Sequence, residues 1–316
     1  MSPRKSVARK VLKAFLPIVL ILGLAVVAVG AWLVYGITRP PRAAYLVTPQ
    51  TFEKDTGIPV SKVTDVRWKN HDGTEARGWL IPGADGAPAV ILLHGYGADR
   101  SWLLNLAVKL NETTNFTVLW PDLRGHGENP PVNWTSFGAL EGDDVTAAID
   151  YLHTLKSPAG KPQIASHLGI YGIGLGSYAA LDAANRYADI NALALDSAPA
   201  SPDDVVRAAT TARTGMSNSV FQRLAHLGMR VYDFGKFPTK TSCELAQTLR
   251  DVHVLLLTGV QDQWQQSTLD LAQCLKTPPE VKRDLMVTGA NLPSSTGEQE
   301  EKYDRPVIEF FGKSLR

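Results

Sequence analysis

The residues whose spacing points to chemistry lie between Leu168 and Ala180, reading Leu168-Gly169-Ile170-Tyr171-Gly172-Ile173-Gly174-Leu175-Gly176-Ser177-Tyr178-Ala179-Ala180. A short apolar strand runs into a tight glycine turn and then into a helix start made of small residues. That is the shape of the turn that presents a serine Oγ to an acyl group, and its usual form is G-x-S-x-G. Here the frame is Gly172-x-Gly174-x-Gly176, with glycine where the serine belongs. Acyl transfer also needs backbone N–H donors for the oxyanion, a base to take the hydroxyl proton and an acid to orient that base. Candidates for some of these parts stand elsewhere in the chain.

Each candidate closes an apolar run. His94-Gly95-Tyr96-Gly97 follows Ala89 to Leu93, Asp122-Leu123-Arg124-Gly125-His126-Gly127 follows Phe116 to Trp120, and Gly259-Val260-Gln261-Asp262 follows Val252 to Leu257. Continuous apolar runs of this length suit strands buried on both faces of a parallel sheet. Val60 to Trp68 and Glu75 to Ile81 read as an opening hairpin around His71-Asp72-Gly73, and Ala192 to Asp196 and Leu285 to Val287 as further strands. Helical spacing covers Ser101 to Leu110, Leu140 to Leu155, Gln263 to Leu275 and Arg305 to Lys313. In the second of these, Glu141, Asp143 and Asp144 fall in the first turn, where the helix dipole favours acids. Strand and helix alternate as in a mostly parallel, doubly wound sheet, which places its sites at the C-terminal strand ends. Residues 199–251 break the rhythm with helical, mixed-polarity sequence and read as a cap inserted after a strand.

Before the sheet, Arg4, Lys5, Arg9, Lys10 and Lys13 precede an uncharged apolar run over residues 14–37. The run exceeds the ~20 residues needed to cross a bilayer. Residues 1–13 are therefore expected in the cytoplasm, 14–37 as a single transmembrane anchor, 38–59 as a linker and 60–316 as an extracytoplasmic domain. A cleaved signal peptide is the alternative, with Ala28, Gly30 and Ala31 small enough for a cleavage site. The apolar run is longer than a usual signal core, which favours the anchor.

Composition excludes several classes. Basic and acidic residues nearly balance, 32 against 31, so no electrostatic footprint for nucleic acid exists. Cys243 and Cys274 are the only cysteines, which rules out a four-thiolate zinc site and leaves a single bridge or two thiols open. No histidine and acid spacing suggests a metal, and no cofactor motif stands out.

In order and spacing, HGYG, DLRGHG, Gly138-x-x-Glu141-x-x-Asp144, the glycine turn and Gly259-x-x-Asp262 resemble the α/β-hydrolase superfamily, nearest its membrane-anchored serine aminopeptidase-like branch. The resemblance implies an α/β-hydrolase fold with a helical cap from about Val60 onward. It implies an oxyanion hole from the backbone N–H groups of Tyr96 and Leu175 beside His94 and Gly95, the nucleophile at position 174 and the triad acid at Asp262. The triad histidine falls at Leu292 or its neighbour Asn291, in the loop Gly289-Ala290-Asn291-Leu292-Pro293, and no histidine follows His253. Gly174 has no Oγ to acylate, and neither Asn291 nor Leu292 takes a proton near neutral pH. The expected function is a catalytically impaired pseudoenzyme that binds a small apolar ligand or a protein partner. The alternatives are a serine hydrolase of esters, amides or short peptides using another nucleophile such as Ser177, and a weaker reading in which Asp262 acts through water. Asp262 also suits a plain role as turn former or helix cap. Tyr96, Trp102, Trp134, Phe221, Tyr232 and Trp264 are candidates to line an apolar pocket.

Overall fold

Why β3 (Ala87–Leu93) is apolar throughout becomes clear from its two faces: Ile91 and Leu93 enter one core layer and Val90 and Leu92 the other. Side chains alternate across a strand, so a strand buried on both faces needs apolar residues at every position. The computed structural model of the chain describes residues 3–41, 44–56, 62–286, 288–289 and 297–316. Among them β3 is joined by β1 (Thr64–Lys69), β2 (Glu75–Ile81), β4 (Thr117–Pro121), β5 (Ile164–Ile173), β6 (Ile190–Asp196), β7 (His253–Gly259) and β8 (Glu280–Leu285). The spatial order is β1-β2-β4-β3-β5-β6-β7-β8. β2 is antiparallel to both neighbours, and the pairs from β4 to β8 are parallel.

Helices cover both faces. α3 (Leu104–Thr114) and α10 (Glu298–Ser314) bury Leu110, Phe310 and Phe311 on one side. α4 (Glu141–Thr154), α5 (Leu175–Ala184) and α9 (Gln265–Cys274) bury Ile149, Leu152, Ala180 and Leu271 on the other. Between β6 and β7 the chain runs through α6 (Pro202–Thr214), α7 (Ser219–Tyr232) and α8 (Ser242–Thr248). Capping boxes open two of them, Ser201 with Asp204 and Thr241 with Glu244.

Three sequence expectations need correction. The last strand is Glu280–Leu285 rather than the apolar triplet from Leu285, Met286 is 74% exposed, and Val287 lies outside the described residues. β8 is the sheet edge, and its Glu, Lys, Arg and Asp are the charges that keep an exposed edge from pairing with another chain. The closing helix begins at Glu298, well before Arg305. The segment expected as a linker carries α2 (Pro49–Thr56) and buries Phe52, while the Tyr45 hydroxyl donates to Asp122 Oδ2 at 2.7 Å. Aromatic side chains tie this stretch to the domain, an effect of tertiary contact that its Pro- and Thr-rich composition conceals.

The N-terminal α1 (Pro3–Ile37) holds one stretch, Lys13–Ile37, long and apolar enough to cross a membrane, with mean hydropathy 2.7. Its C-terminal turns do not hang free: Leu33, Val34, Ile37 and Thr38 are buried against the domain.

Cys243 on α8 and Cys274 at the end of α9 form a disulfide that closes a 31-residue separation. Closing a loop of that length removes unfolded-state entropy worth roughly 3–4 kcal/mol. Reduction is therefore expected to lower the urea midpoint of the detergent-solubilised protein and to expose two thiols by mass. An unchanged midpoint on full reduction would show that the bridge contributes nothing.

Candidate active site

The strand-to-helix turn carries glycine at the position expected for a nucleophile. Gly174 sits at φ 53° and ψ −110° between β5 and α5, and its N–H donates to Asp196 O at 2.9 Å. An L side chain is strained there, whereas glycine adopts positive φ freely. Leu175 opens α5, so its N–H belongs to the first-turn donors that have no partner within the helix, at the helix's positive end. A Cβ added at Gly174 would lie 2.8 Å from Cζ3 of Trp264. The space a nucleophile's side chain needs is thus taken by an indole.

Asp262 holds the backbone of Trp264. Its Oδ1 accepts from the Trp264 backbone N–H at 2.9 Å, and its Oδ2 accepts from Thr258 Oγ1 at 2.8 Å. Its own N–H donates to Gly259 O at 3.2 Å and its carbonyl accepts from Gln265 N at 3.1 Å. Both carboxylate oxygens at the triad-acid position are thereby engaged in a local turn. The N-cap of α9 is Trp264 itself, so Asp262 forms the turn ahead of the helix and does not cap it.

Around this pair lies an open cleft of about 340 Å³, lined among others by Gly95, Tyr96, Trp102, Ser197, Trp264 and Gly289. Of the six aromatic candidates, Tyr96, Trp102 and Trp264 meet here. Trp134 and Tyr232 instead pack edge to face with ring centroids 6.0 Å apart, and Phe221 lies on α7. The Tyr96 hydroxyl points out of the cleft and donates to Ile37 O at 2.7 Å, and its ring stacks on Phe137 at 5.3 Å.

Neither nearby histidine is available as a base. His94 is fully buried; Nδ1 donates to Gly95 O at 2.8 Å and Nε2 accepts from Leu123 N–H at 3.0 Å. Those partners fix the neutral tautomer, and burial pulls its pKa down. His126, 5.1 Å away ring to ring, donates from Nδ1 to Arg124 O at 2.9 Å. Burial, reinforced by the neighbouring His94, brings its pKa down to about 4. Both histidines brace the loops after β3 and β4.

Ser177 is fully buried, with Oγ 2.5 Å from Gly172 O and 2.8 Å from Asp196 O. Its hydroxyl secures β5 to β6 and faces no substrate. Ser197 lines the cleft at φ 51°, with Oγ donating to Asp196 Oδ1 at 2.7 Å. Leu292 and Asn291, the positions expected for the histidine, lie outside the described residues.

Asp196 is the site residue that reading the sequence missed. Its buried carboxylate also accepts from the Gly289 N–H and the Tyr303 hydroxyl, which ties the loop after β8 to β6 and α10. Burial pushes its pKa up to about 6. The signal was present in its position, an acid closing an apolar run as Asp122 does. Asp122 is likewise a hub: Oδ1 accepts from Arg100 N at 3.0 Å, and Arg77 Nε lies 3.3 Å from Oδ2. Among the described residues no cluster of three or more histidines, cysteines or acids is arranged to hold a metal.

Residues 90–296 match the alpha/beta hydrolase family. Among solved structures, an esterase from Pyrococcus furiosus superposes with TM-score 0.61 at 20% identity, covering 88% of this chain and 98% of its own. An acylaminoacyl peptidase from Pyrococcus horikoshii gives 0.56 at 14% identity, with 80% of this chain and 42% of that one covered. Dipeptidyl peptidase 4 from Porphyromonas gingivalis gives 0.54 at 16%, with 80% and 35% covered. No curated protein sequence matches the chain. At such identities the structural likeness speaks for the fold alone. With well over half its length matched and the strand order established above, the chain belongs to the alpha/beta hydrolase family.

Proposed function

We propose that this protein is a membrane-anchored binding protein of hydrolase fold whose catalytic centre is impaired, and that its cleft recognises a small apolar ligand or an apolar segment of a partner. The observation that carries the reading is the Trp264 indole standing over Gly174, where a Cβ would come within 2.8 Å of the ring. Loss of a serine alone removes chemistry; filling its space with an aromatic face turns the same position into contact surface. Asp262 supports this, since both its oxygens now serve the turn that places the indole. A hydrolase that used Ser177 would have to free a hydroxyl buried between two carbonyls.

The anchor completes the reading. Basic residues in the first turns of α1, ahead of its apolar run, favour a cytoplasmic N-terminus and put the domain on the other side of the membrane. The Cys243–Cys274 bridge suits an oxidising compartment there.

The test is a fluorophosphonate probe applied to the purified full-length protein, followed by titration with short-chain acyl amides read by tryptophan emission. The expected outcome is no labelled serine together with saturable binding. A covalent adduct at any serine, Ser197 included, would overturn the reading.

A further inference from the structure

We infer that cap helix α7 lies in the membrane interface beside the anchor, giving the domain a second contact with lipid; this rests on the reading of α1 as a membrane anchor. The starting point is a shortfall in length. Residues 13–28 of α1 are exposed, whereas Leu33, Val34 and Ile37 are buried in the domain. The free apolar stretch Ala14–Ala28 spans about 22 Å at 1.5 Å per residue, against a hydrocarbon core of about 30 Å. A domain held clear of the bilayer would leave the helix too short. A cap that enters the interface by 5–10 Å, as amphipathic helices do, makes up the difference.

α7 has the composition for that position. At 100° per residue, Val220, Leu224, Leu227 and Val231 fall within an arc of roughly 60°. Val220 is 60% exposed, Leu227 61% and Val231 70%, and Phe234 just beyond the helix is 94% exposed. Arg223 and Arg230 border this arc, both exposed, and the helix contains no acid. Apolar residues bordered along one edge by arginines, whose stems can lie along the apolar surface while the guanidinium reaches phosphate, are the pattern of a helix lying in the headgroup layer.

The arc is also continuous with the anchor. Gly228, one turn beyond Leu224 and about 40° from it around the helix, meets α1 so closely that a Cβ there would lie 2.5 Å from Val34 Cγ2. Where α1 passes this point, Trp32 and Tyr35 stay 49% and 63% exposed on its other side. These aromatics suit headgroup level, and Arg213 at the end of α6 stacks over Trp32, its Cζ 5.0 Å from the ring centroid. Anchor and cap therefore present one surface of aromatic, aliphatic and arginine side chains to a lipid interface.

With both cysteines bridged, an introduced thiol is a unique labelling site among the described residues. Leu227→Cys and Leu20→Cys, each carrying an environment-sensitive fluorophore, are reconstituted as full-length protein into vesicles of phosphatidylcholine with phosphatidylglycerol. Shallow and deep spin-labelled lipids serve as quenchers. The Leu227 probe is expected to lose most of its emission to the shallow quencher and the Leu20 probe to the deep one. Quenching at Leu20 with none at Leu227 overturns the proposal while leaving the anchor intact. No quenching at either position overturns the anchor reading and the proposal with it. Because both residues are exposed, folding of the labelled variants is not at stake.

Discussion

Gly174→Ser alone is expected to leave the protein unreactive toward a fluorophosphonate, and Gly174→Ser with Trp264→Ala should become readily labelled only once a histidine is added at position 291 or 292. Two terms oppose the single variant. Serine at φ 53° sits in a sparsely populated region that costs about 1–3 kcal/mol. Its Cβ must also displace an indole that would be 2.8 Å away, on a residue whose backbone N–H is held by Asp262. Removing the indole opens the position, and the Tyr96 and Leu175 N–H groups then decide whether an oxyanion is stabilised. Adding Asn291→His or Leu292→His supplies a base, worth about 10²–10⁴-fold where the geometry serves. Ester turnover should therefore rise stepwise from single to double to triple variant. A single variant that reacts as fast as the triple would show that Trp264 blocks nothing, and the argument for a converted site would fall with it. A triple variant with no turnover would locate the loss in the oxyanion donors.

Much of this site was legible because its parts are local. A glycine turn between an apolar strand and a small-residue helix can be read from consecutive residues, and so can acids and histidines that close strands. Trp264 over Gly174 was not legible, since 90 positions separate the two residues and only the sheet, in which β6 lies between β5 and β7, brings the turns after β5 and β7 together. Asp196 was hidden for a related reason: its partners Gly289 and Tyr303 come from the far end of the chain. The edge strand β8 illustrates the reverse error. Its charged residues look like loop because an edge is exposed, while the apolar triplet beside it looks like a strand. The lead-in around Tyr45 and Phe52 was read as a linker because docking by isolated aromatics leaves no periodicity.

Glu141 shows how a correct element can conceal a residue's task, and its substitution carries the largest expected loss of stability. Its position in the first turn of α4 suits the helix dipole, but an exposed acid there would be worth only about 0.3–1 kcal/mol. In the structure Glu141 is fully buried and accepts four hydrogen bonds, from Thr135 Oγ1 at 2.6 Å, Ser136 N at 2.9 Å, Ser136 Oγ at 2.5 Å and Gly138 N at 2.7 Å. Burial would raise its pKa, yet the Arg124 charge and these donors outweigh burial and hold the carboxyl below the usual range. The loop it gathers places Phe137 at φ 51° beneath the Tyr96 ring, and the Thr135 N–H donates to Thr38 O at 2.9 Å, where α1 ends against the domain. Glu141→Ala leaves those four donors without their acceptor in a dry interior and removes a buried charge near Arg124, a loss of about 3–5 kcal/mol. For a domain of this size that is a fall on the order of 10 °C in Tm, measured on the detergent-solubilised protein. Glu141→Gln keeps the volume but turns an amide donor toward the Ser136 and Gly138 donors, so it should recover only part of the loss. A Gln variant as stable as the parent would mean that shape alone, and not the anionic acceptor, orders the loop under Tyr96. The coupling of α1, loop and cleft through one carboxylate would then have to be abandoned.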